Sequence, residues 1–510
     1  MSTTAFDDDS WRLANLALHV SGLALLFVSA GILLSAIIEA GAGGPEVASL
    51  TLAAATVGAA GAGLWRFTRV PRRVSAGNTF LAVVAAWVAS AIGGAIPFVY
   101  ADTFVHLDDA LFESVSGFTG TGSSVLVPIE GTPRGLLFWR SMTQFYGGMG
   151  MVVLAVTVLP FLGVGGMQLL RAEAPGPSSD RLAPRVSETA KRLWYVYVGY
   201  AVVSALVLLA VGMSLFDAVT HSFTVVSTGG LSTHDASIGF FDSVAVEAAL
   251  IVLMLFGATN FTLHWRAVRG DIGAYHRSSM FRWFMSVFVI ATVTLVTILV
   301  ADGMALPDAI RDGAFNVTTL LTSTGFGTAD FVQWTPAAQL LLLALMFSGG
   351  MAGSTSGGMK LIRVRVMLNQ ALREFRRVRH PRAVFPLKIG GGAVGGDILA
   401  SVAAFAMLYV LSIIASTIAL TLLGTDLITS AGASASALGN MGPGLGDAGP
   451  ASNYLVFSRP ARGVIMVGML TGRLEMFPIV VSVVRLVTVL SPGRLRPLST
   501  EPRRRVDQPA

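Results

Sequence analysis

The chain contains no cysteine in 510 residues, which excludes disulfides and every thiolate-based metal or redox centre. Charge is scarce as well: Asp, Glu, Lys and Arg make up 13%, against about 25% in soluble domains. Seven histidines are present, none at metal-ligand spacing, and His221 and His234 read as structural or solvated groups. There is no nucleophile elbow, P-loop or convincing dinucleotide fingerprint, so the chain does not read as an enzyme, and nucleotide control would have to come from a partner.

What is abundant is apolar surface and glycine. Hydrophobic residues reach 53% at a mean hydropathy of +0.70, and runs of roughly 20 apolar residues match a bilayer core about 30 Å thick. Spans are expected at 13–38, 46–65, 79–100, 136–163, 193–215, 244–265, 283–302, 336–359, 397–424 and 462–490. The acidic start MSTTAFDDDSWR shows no cleavage signal, so the first run reads as a permanent span. Of 35 Lys and Arg, 28 fall in 66–73, 171–192, 266–282, 360–388 and 485–505, which are alternate connections plus the tail. Cytoplasmic loops collect Lys and Arg, so both termini are expected in the cytoplasm. The net charge of +6 and pI near 9.9 therefore reflect topology, and nucleic acid is not an expected partner.

The other connections share one plan: an acidic residue, a short apolar stretch, then a polar turn around glycine. They read DALFESVSGFTGTGSS from Asp109, DAVTHSFTVVSTGGLS from Asp217, DGAFNVTTLLTSTGFGT from Asp312 and DLITSAGASASALGNMGPG from Asp426. The aligned glycines Gly122, Gly229, Gly325 and Gly442 lie 13, 12, 13 and 16 residues after these acids. A fixed plan recurring about every hundred residues signals an internal repeat. Each stretch is too short to cross a bilayer, so each is expected to be a re-entrant helix with its Asp near the N-terminus, where a carboxylate satisfies free N–H groups. Non-helical backbone at membrane depth is tolerated only where protein buries it or water lines it. Four such turns around a pseudo-fourfold axis would aim carbonyl oxygens at one centre, as a cation filter requires, with Thr and Ser hydroxyls coordinating or bracing the backbone.

The phrases SGFTGTGSSVL (116–126), FTVVSTGGLSTHD (223–235), LTSTGFGTADF (321–331) and LGNMGPGLGD (438–447) resemble the four filter loops of the TrkH/KtrB/HKT superfamily of potassium-uptake proteins. The resemblance covers about 79–490, and two extra N-terminal spans place it in the TrkH branch. It implies an all-α integral membrane fold: two extra helices, then four covalently linked repeats of helix, pore helix and helix, potassium-channel-like and pseudo-fourfold. The expected divisions are 1–75 for the N-terminal pair, 76–170, 171–270, 271–380 and 381–492 for the repeats, and 493–510 for the tail. It also implies K⁺ as the transported ion and a filter of Thr121, Gly122, Thr228, Gly229, Thr324, Gly325, Asn440, Met441 and Gly442. Thr119, Ser123, Ser227, Gly230, Thr322, Ser323, Phe326 and Pro443 would support it. Plant relatives with serine at the first filter glycine prefer sodium; all four are glycine here, which implies potassium selectivity. Gly120 departs from the threonine of many relatives, a change expected to loosen the first loop.

Residues 348–360 read SGGMAGSTSGGMK. Glycines in a helix cost about 1 kcal/mol each relative to alanine, so a break is expected, although small residues also serve close helix packing. The stretch resembles the family's intramembrane gating loop, here Gly349, Gly350, Gly353, Ser354, Thr355, Ser356, Gly357 and Gly358, followed by Lys360 as gate residue or cytoplasmic anchor. Arg473 and Glu475 interrupt the last apolar run. Family members place an arginine at the Arg473 position below the filter, where it would repel cations or hold the gate; an Arg473–Glu475 pair is the structural alternative. The basic segment 360–388 is expected as a cytoplasmic loop touching anionic lipid or a regulator. The family further implies a homodimer carrying a cytosolic TrkA-type nucleotide- and NAD-binding subunit. The rival reading is an ion-coupled transporter of an organic solute with its site at the broken helix 349–358; four parallel units rather than two inverted ones argue against it.

Overall fold

The computed structural model describes residues 3–70, 76–157, 186–383, 385–389 and 392–490. Residues 71–73, the end of the 136–163 span, the basic stretch 171–185 and the tail 493–510 lie outside the described residues. Among the described residues, apart from a two-residue ladder pairing Lys388–Ile389 with Gly392–Ala393, the elements are helical.

Two helices, Thr3–Gly41 and Val47–Phe67, form an N-terminal hairpin. Its glycines permit the approach: a Cβ on Gly22 would lie 2.6 Å from the Trp65 nitrogen. The hairpin docks on the first repeat through buried Glu39, which accepts a 2.6 Å bond from the Gly135 N–H at the start of that repeat's second helix.

Four repeats follow. Their first helices are Ala76–Tyr100, Val186–Ala210, Ser279–Ala301 and Gly396–Leu422, long and apolar enough to cross a membrane. They leave large apolar side chains such as Leu206, Ile290, Met407 and Ile418 exposed, the expected outer surface where lipid is the solvent. Their pore helices are Leu107–Thr119, Leu215–Val226, Leu306–Leu321 and Leu427–Gly439. Each is buried towards its C-terminus on every side. The second helices complete a cycle, each packing on the pore helix of the next repeat. Arg134–Thr157 meets the second pore helix, Val244–Gly257 the third, Pro336–Ser348 the fourth, and Arg459–Arg473 returns to the first. Arg311 with Glu247 at 2.8 Å, and Arg462 with Asp109 at 2.8 Å, pin two of these contacts.

Three expected spans are not single helices. The 244–265 span breaks after Gly257 and turns by 101° into Phe261–Val268. The 462–490 span breaks after Arg473 and turns by 109°. The 336–359 span stops at Ser348 and resumes only at Leu361. The 360–388 segment is correspondingly a helix, Leu361–Arg379, rather than a loop. Hydropathy sees apolar length but not backbone direction, so it joins both halves of a bent pair.

The acids near the pore helices take different places. Asp426 is the N-cap of its helix and accepts from the N–H groups of Ile428 and Thr429. Asp109 and Asp217 lie in the first turn, with Ser214 capping the second helix. Asp312 sits well inside the third helix, which begins at Leu306.

Candidate functional site: four loops over a plug

Each pore helix ends in a left-handed residue followed two positions later by a left-handed glycine. The first of these are Gly120, Thr228, Ser323 and Asn440, with φ of 66°, 52°, 55° and 52°. Three of the four hold side chains where glycine is preferred; Gly120 takes the angle without a side chain, its N–H donating to the Gly117 carbonyl and the Thr121 N–H to that of Ser116, both at 2.9 Å. The second set are Gly122, Gly230, Gly325 and Gly442, with φ of 85°, 75°, 87° and 88°. The counterpart in the second loop is therefore Gly230, one residue after the expected Gly229. With Gly230 the spacing from Asp217 becomes 13 residues, matching the first and third loops.

These glycines close a ring. A Cβ on Gly122 would lie 2.2 Å from the Gly229 carbonyl oxygen, on Gly230 2.0 Å from that of Thr324, on Gly325 1.9 Å from that of Met441, and on Gly442 3.0 Å from that of Thr121. Each loop thus abuts the carbonyl of the next loop's preceding residue, and the fourth returns to the first. Only glycine permits both the backbone angle and this approach. Among the described residues, the carbonyls of Thr121, Thr324 and Met441 accept no hydrogen bond, which leaves them available to a cation. The Gly442 carbonyl is instead turned to Tyr454, Ser436 and Ser123. All four left-handed glycines line one outer cavity of about 250 Å³, with Ser123, Ser232, His234 and Asp235 on its walls.

The loops are braced by residues that pattern reading passed over. Buried Glu113 accepts from Arg140 at 2.8 Å, from Ser124 and from the Val125 N–H, while Arg140 also donates to the Ser232 carbonyl. One ion pair so joins loops one and two. Glu113 and Arg140 interrupt otherwise apolar stretches, which was the available signal. His221 is buried and bonded to the Asp217 carbonyl and Ser232 Oγ. His234 lies between Glu130 and Asp217 and stacks on Phe240 at 3.6 Å. In the outer connections Asp235 is pushed above the usual carboxylate value by burial and by Glu130 beside it, whereas hydrogen bonding with Asp235 holds Glu130 below its own.

Beneath the ring lies the 349–360 loop, a compact plug with left-handed Gly349, Gly353, Gly358 and Lys360. Internally the Gly350 N–H donates to Ser356 Oγ at 3.0 Å, and Ser354 bonds Ser356. Outwardly it touches three pore-helix ends or their neighbours. Thr355 Oγ1 donates to the Val226 carbonyl at 2.9 Å, the Gly357 N–H donates to Ser323 Oγ at 2.6 Å, and a Cβ on Gly357 would lie 2.1 Å from the Gly439 oxygen. Arg473 is buried, donates to the Thr355 carbonyl at 2.9 Å and sits under Gly120. It has no carboxylate partner among the described residues, because Glu475 pairs with Arg363 at 2.6 Å instead. Lys360 is buried with Nζ donating to the Ser356 carbonyl, so it is not a solvated anchor.

Residues 49–488 match the family model TrkH, described as a cation transport protein. The chain is 40% identical over 409 residues to the Trk system potassium uptake protein TrkH of Vibrio parahaemolyticus, covering 79% of this chain and 84% of that protein. It is 41% identical over 409 residues to the same-named protein of Escherichia coli K12, again covering 79% and 84%. The fold superposes on the crystal structure of the potassium transporter TrkH from Vibrio parahaemolyticus with a TM-score of 0.85 at 34% identity, covering 92% of this chain and 98% of that one. The chain is a member of the TrkH family of cation transport proteins.

Proposed function

We propose that this chain carries potassium into the cell, passing the ion through the ring formed by Thr121–Gly122, Gly229–Gly230, Thr324–Gly325 and Met441–Gly442. The carrying observation is the closed cycle of glycine-to-carbonyl approaches directly above a buried plug. Free carbonyls replace the hydration shell of an alkali cation, and four pore helices direct the negative ends of their dipoles at the same region. Relatives named as potassium uptake proteins agree with this choice of ion.

The 349–360 plug is the gate in this reading. It obstructs the path below the ring, and Arg473 holds it through the Thr355 carbonyl while placing a cation where potassium would exit. Gate movement would be driven from the cytoplasm by a TrkA-type nucleotide- and NAD-binding subunit, on a homodimer in the bacterial inner membrane with both termini inside. The relatives' names place them in a Trk system, consistent with such partners.

The test is ⁸⁶Rb⁺ uptake into proteoliposomes with K⁺, Na⁺ and organic solutes as competitors. A left-handed non-glycine residue costs about 1–2 kcal/mol, so Gly325→Ser is expected to cut K⁺-over-Na⁺ selectivity by about tenfold or more. Unchanged selectivity in Gly325→Ser and in Gly122→Ser, or competition by an organic solute, would sink the proposal.

A further inference from the structure

The four loops are held in two different ways, alternating around the ring. Loops one and three carry an internal hydroxyl relay, to which loop four adds a 3.0 Å bond from the Asn440 amide to Thr121 Oγ1. Thr119 gives its hydrogen to the Val115 carbonyl at 2.7 Å, so Thr121, 2.8 Å away, must donate to it. Thr322 likewise donates to the Thr318 carbonyl at 2.7 Å and receives Thr324 at 2.7 Å. In both loops the hydroxyl hydrogens run back into the pore helix. Loops two and four carry Gly229 and Met441 at the equivalent position and have no such relay.

We propose that Gln144 and Tyr454 are positioning residues that grip loops two and four, and that ion selectivity depends on their hydrogen bonds. The inference rests on the reading of the ring as the ion filter. Gln144 projects from the first repeat's second helix and is fully buried. Its amide donates to the Gly229 carbonyl at 2.6 Å and accepts from the Leu231 N–H at 3.1 Å, so it grips the loop on both sides of Gly230. A Cβ on Gly229 would meet Gln144 Cδ at 2.4 Å. Gln144 therefore fills the room that a threonine side chain fills in loops one and three, which explains glycine at 229.

Tyr454 reaches loop four from the outer return of its own repeat. Its ring is buried between Phe112 and Phe457, at 5.6 and 5.3 Å, and its N–H donates to the Ser124 carbonyl at 2.9 Å. Its hydroxyl donates to the Gly442 carbonyl at 2.7 Å, joined there by Ser436 and Ser123. Positive hydrogens beside the Gly229 and Gly442 oxygens offset part of their charge. The Gly229 oxygen then binds a cation less strongly than its free counterparts at Thr121, Thr324 and Met441, and the Gly442 oxygen is damped one position further along, so the ion meets an uneven field within a fourfold scaffold.

The test uses the full-length protein in proteoliposomes with ⁸⁶Rb⁺ flux against Na⁺ competition. Tyr454→Phe removes one hydrogen bond without changing the packing; Gln144→Glu keeps the acceptor for Leu231 and loses the donor to Gly229. Each is expected to lower K⁺-over-Na⁺ selectivity and raise the KM for Rb⁺ by about three- to tenfold; Tyr454→Phe should keep maximal flux and detergent melting temperature near those of the parent, whereas the unpaired carboxylate of Gln144→Glu lowers the melting temperature. Gln144→Leu should match or exceed Gln144→Glu; if it fails to fold, Tyr454→Phe decides. Parent selectivity and KM in Tyr454→Phe and Gln144→Glu, alongside lost selectivity in Gly325→Ser, overturns the grip. Parent selectivity in Gly325→Ser overturns the filter reading instead.

Discussion

The first and third repeats share an outer half and part company in the inner half. In both, a pore helix ends in a Thr-x-Thr-Gly loop with the same hydroxyl relay. Below, the first repeat's second helix runs unbroken as Arg134–Thr157, while the third repeat's stops at Ser348 and spends 349–360 as a plug. Both inner halves are glycine-rich, so glycine content does not decide the outcome. In the first repeat glycine stays helical and lets elements meet: a Cβ on Gly147 would lie 1.8 Å from the Phe118 oxygen. In the third, Gly349, Gly353 and Gly358 take φ of 66°, 77° and 71°. The outer half is constrained because four loops must meet in one ring, whereas the inner half of a single repeat is free to diverge.

That contrast can be broken experimentally. Gly147→Ala should have the largest effect, because its Cβ strikes rigid backbone at the Phe118 oxygen. Overpacking of this kind costs about 1–3 kcal/mol or more, expected as a lower melting temperature in detergent together with impaired flux. Wild-type stability would mean that the helix is not held against the first pore helix. Gly357→Ala acts on the plug alone, where the new Cβ meets the Gly439 oxygen at 2.1 Å. Destabilising the seated plug by about 1–3 kcal/mol raises the open population about five- to hundredfold, to be read as Rb⁺ leak without a regulator. A tight pore would remove the gate assignment.

Glu475→Gln weakens the tie between the plug's exit helix and the bend after Arg473. Breaking a buried pair costs about 3–5 kcal/mol when a charge is left unpaired, but Arg363 keeps its contact with the Met359 carbonyl and its seat over Phe405 at 3.9 Å. The expected outcome is a smaller leak than in Gly357→Ala, with selectivity intact; altered selectivity would place this bridge in the filter's support instead. The smallest effect concerns how pore helices begin. Asp426→Ala removes an N-cap worth about 1 kcal/mol, seen as a small drop in melting temperature with unchanged flux. Thr429 and the backbone hold the Asp426 carboxyl below its usual value of 3.8. Its stabilisation is therefore present above that value and lost as pH falls through the lower folded one. The mutant's deficit should vanish in acid, and a deficit independent of pH would show that the cap is not ionised.

Much of this was legible in the chain. Composition required a membrane protein, four recurrent Asp-to-Gly segments required four re-entrant units, and 348–360 could not continue a helix. The misreadings have a common cause. Gly229 and Gly230 are adjacent identical letters, and only φ and the approach to Thr324 identify the second as the ring glycine. Glu475 stands two residues from Arg473, yet pairs with Arg363 more than a hundred residues earlier. Gln144 and Tyr454 belong to no motif, because their partners are backbone carbonyls of other segments.

The sequence alone determined the solvent, the number of repeats and that the backbone leaves the helix at 348–360, since these follow from local apolar length and from glycine. The tertiary structure decided the register of the second loop, the broken inner helices, the partner of Arg473 and the grips on loops two and four. Those depend on which backbone atoms from distant repeats arrive at the same few ångströms, and a carbonyl carries no signature in the sequence.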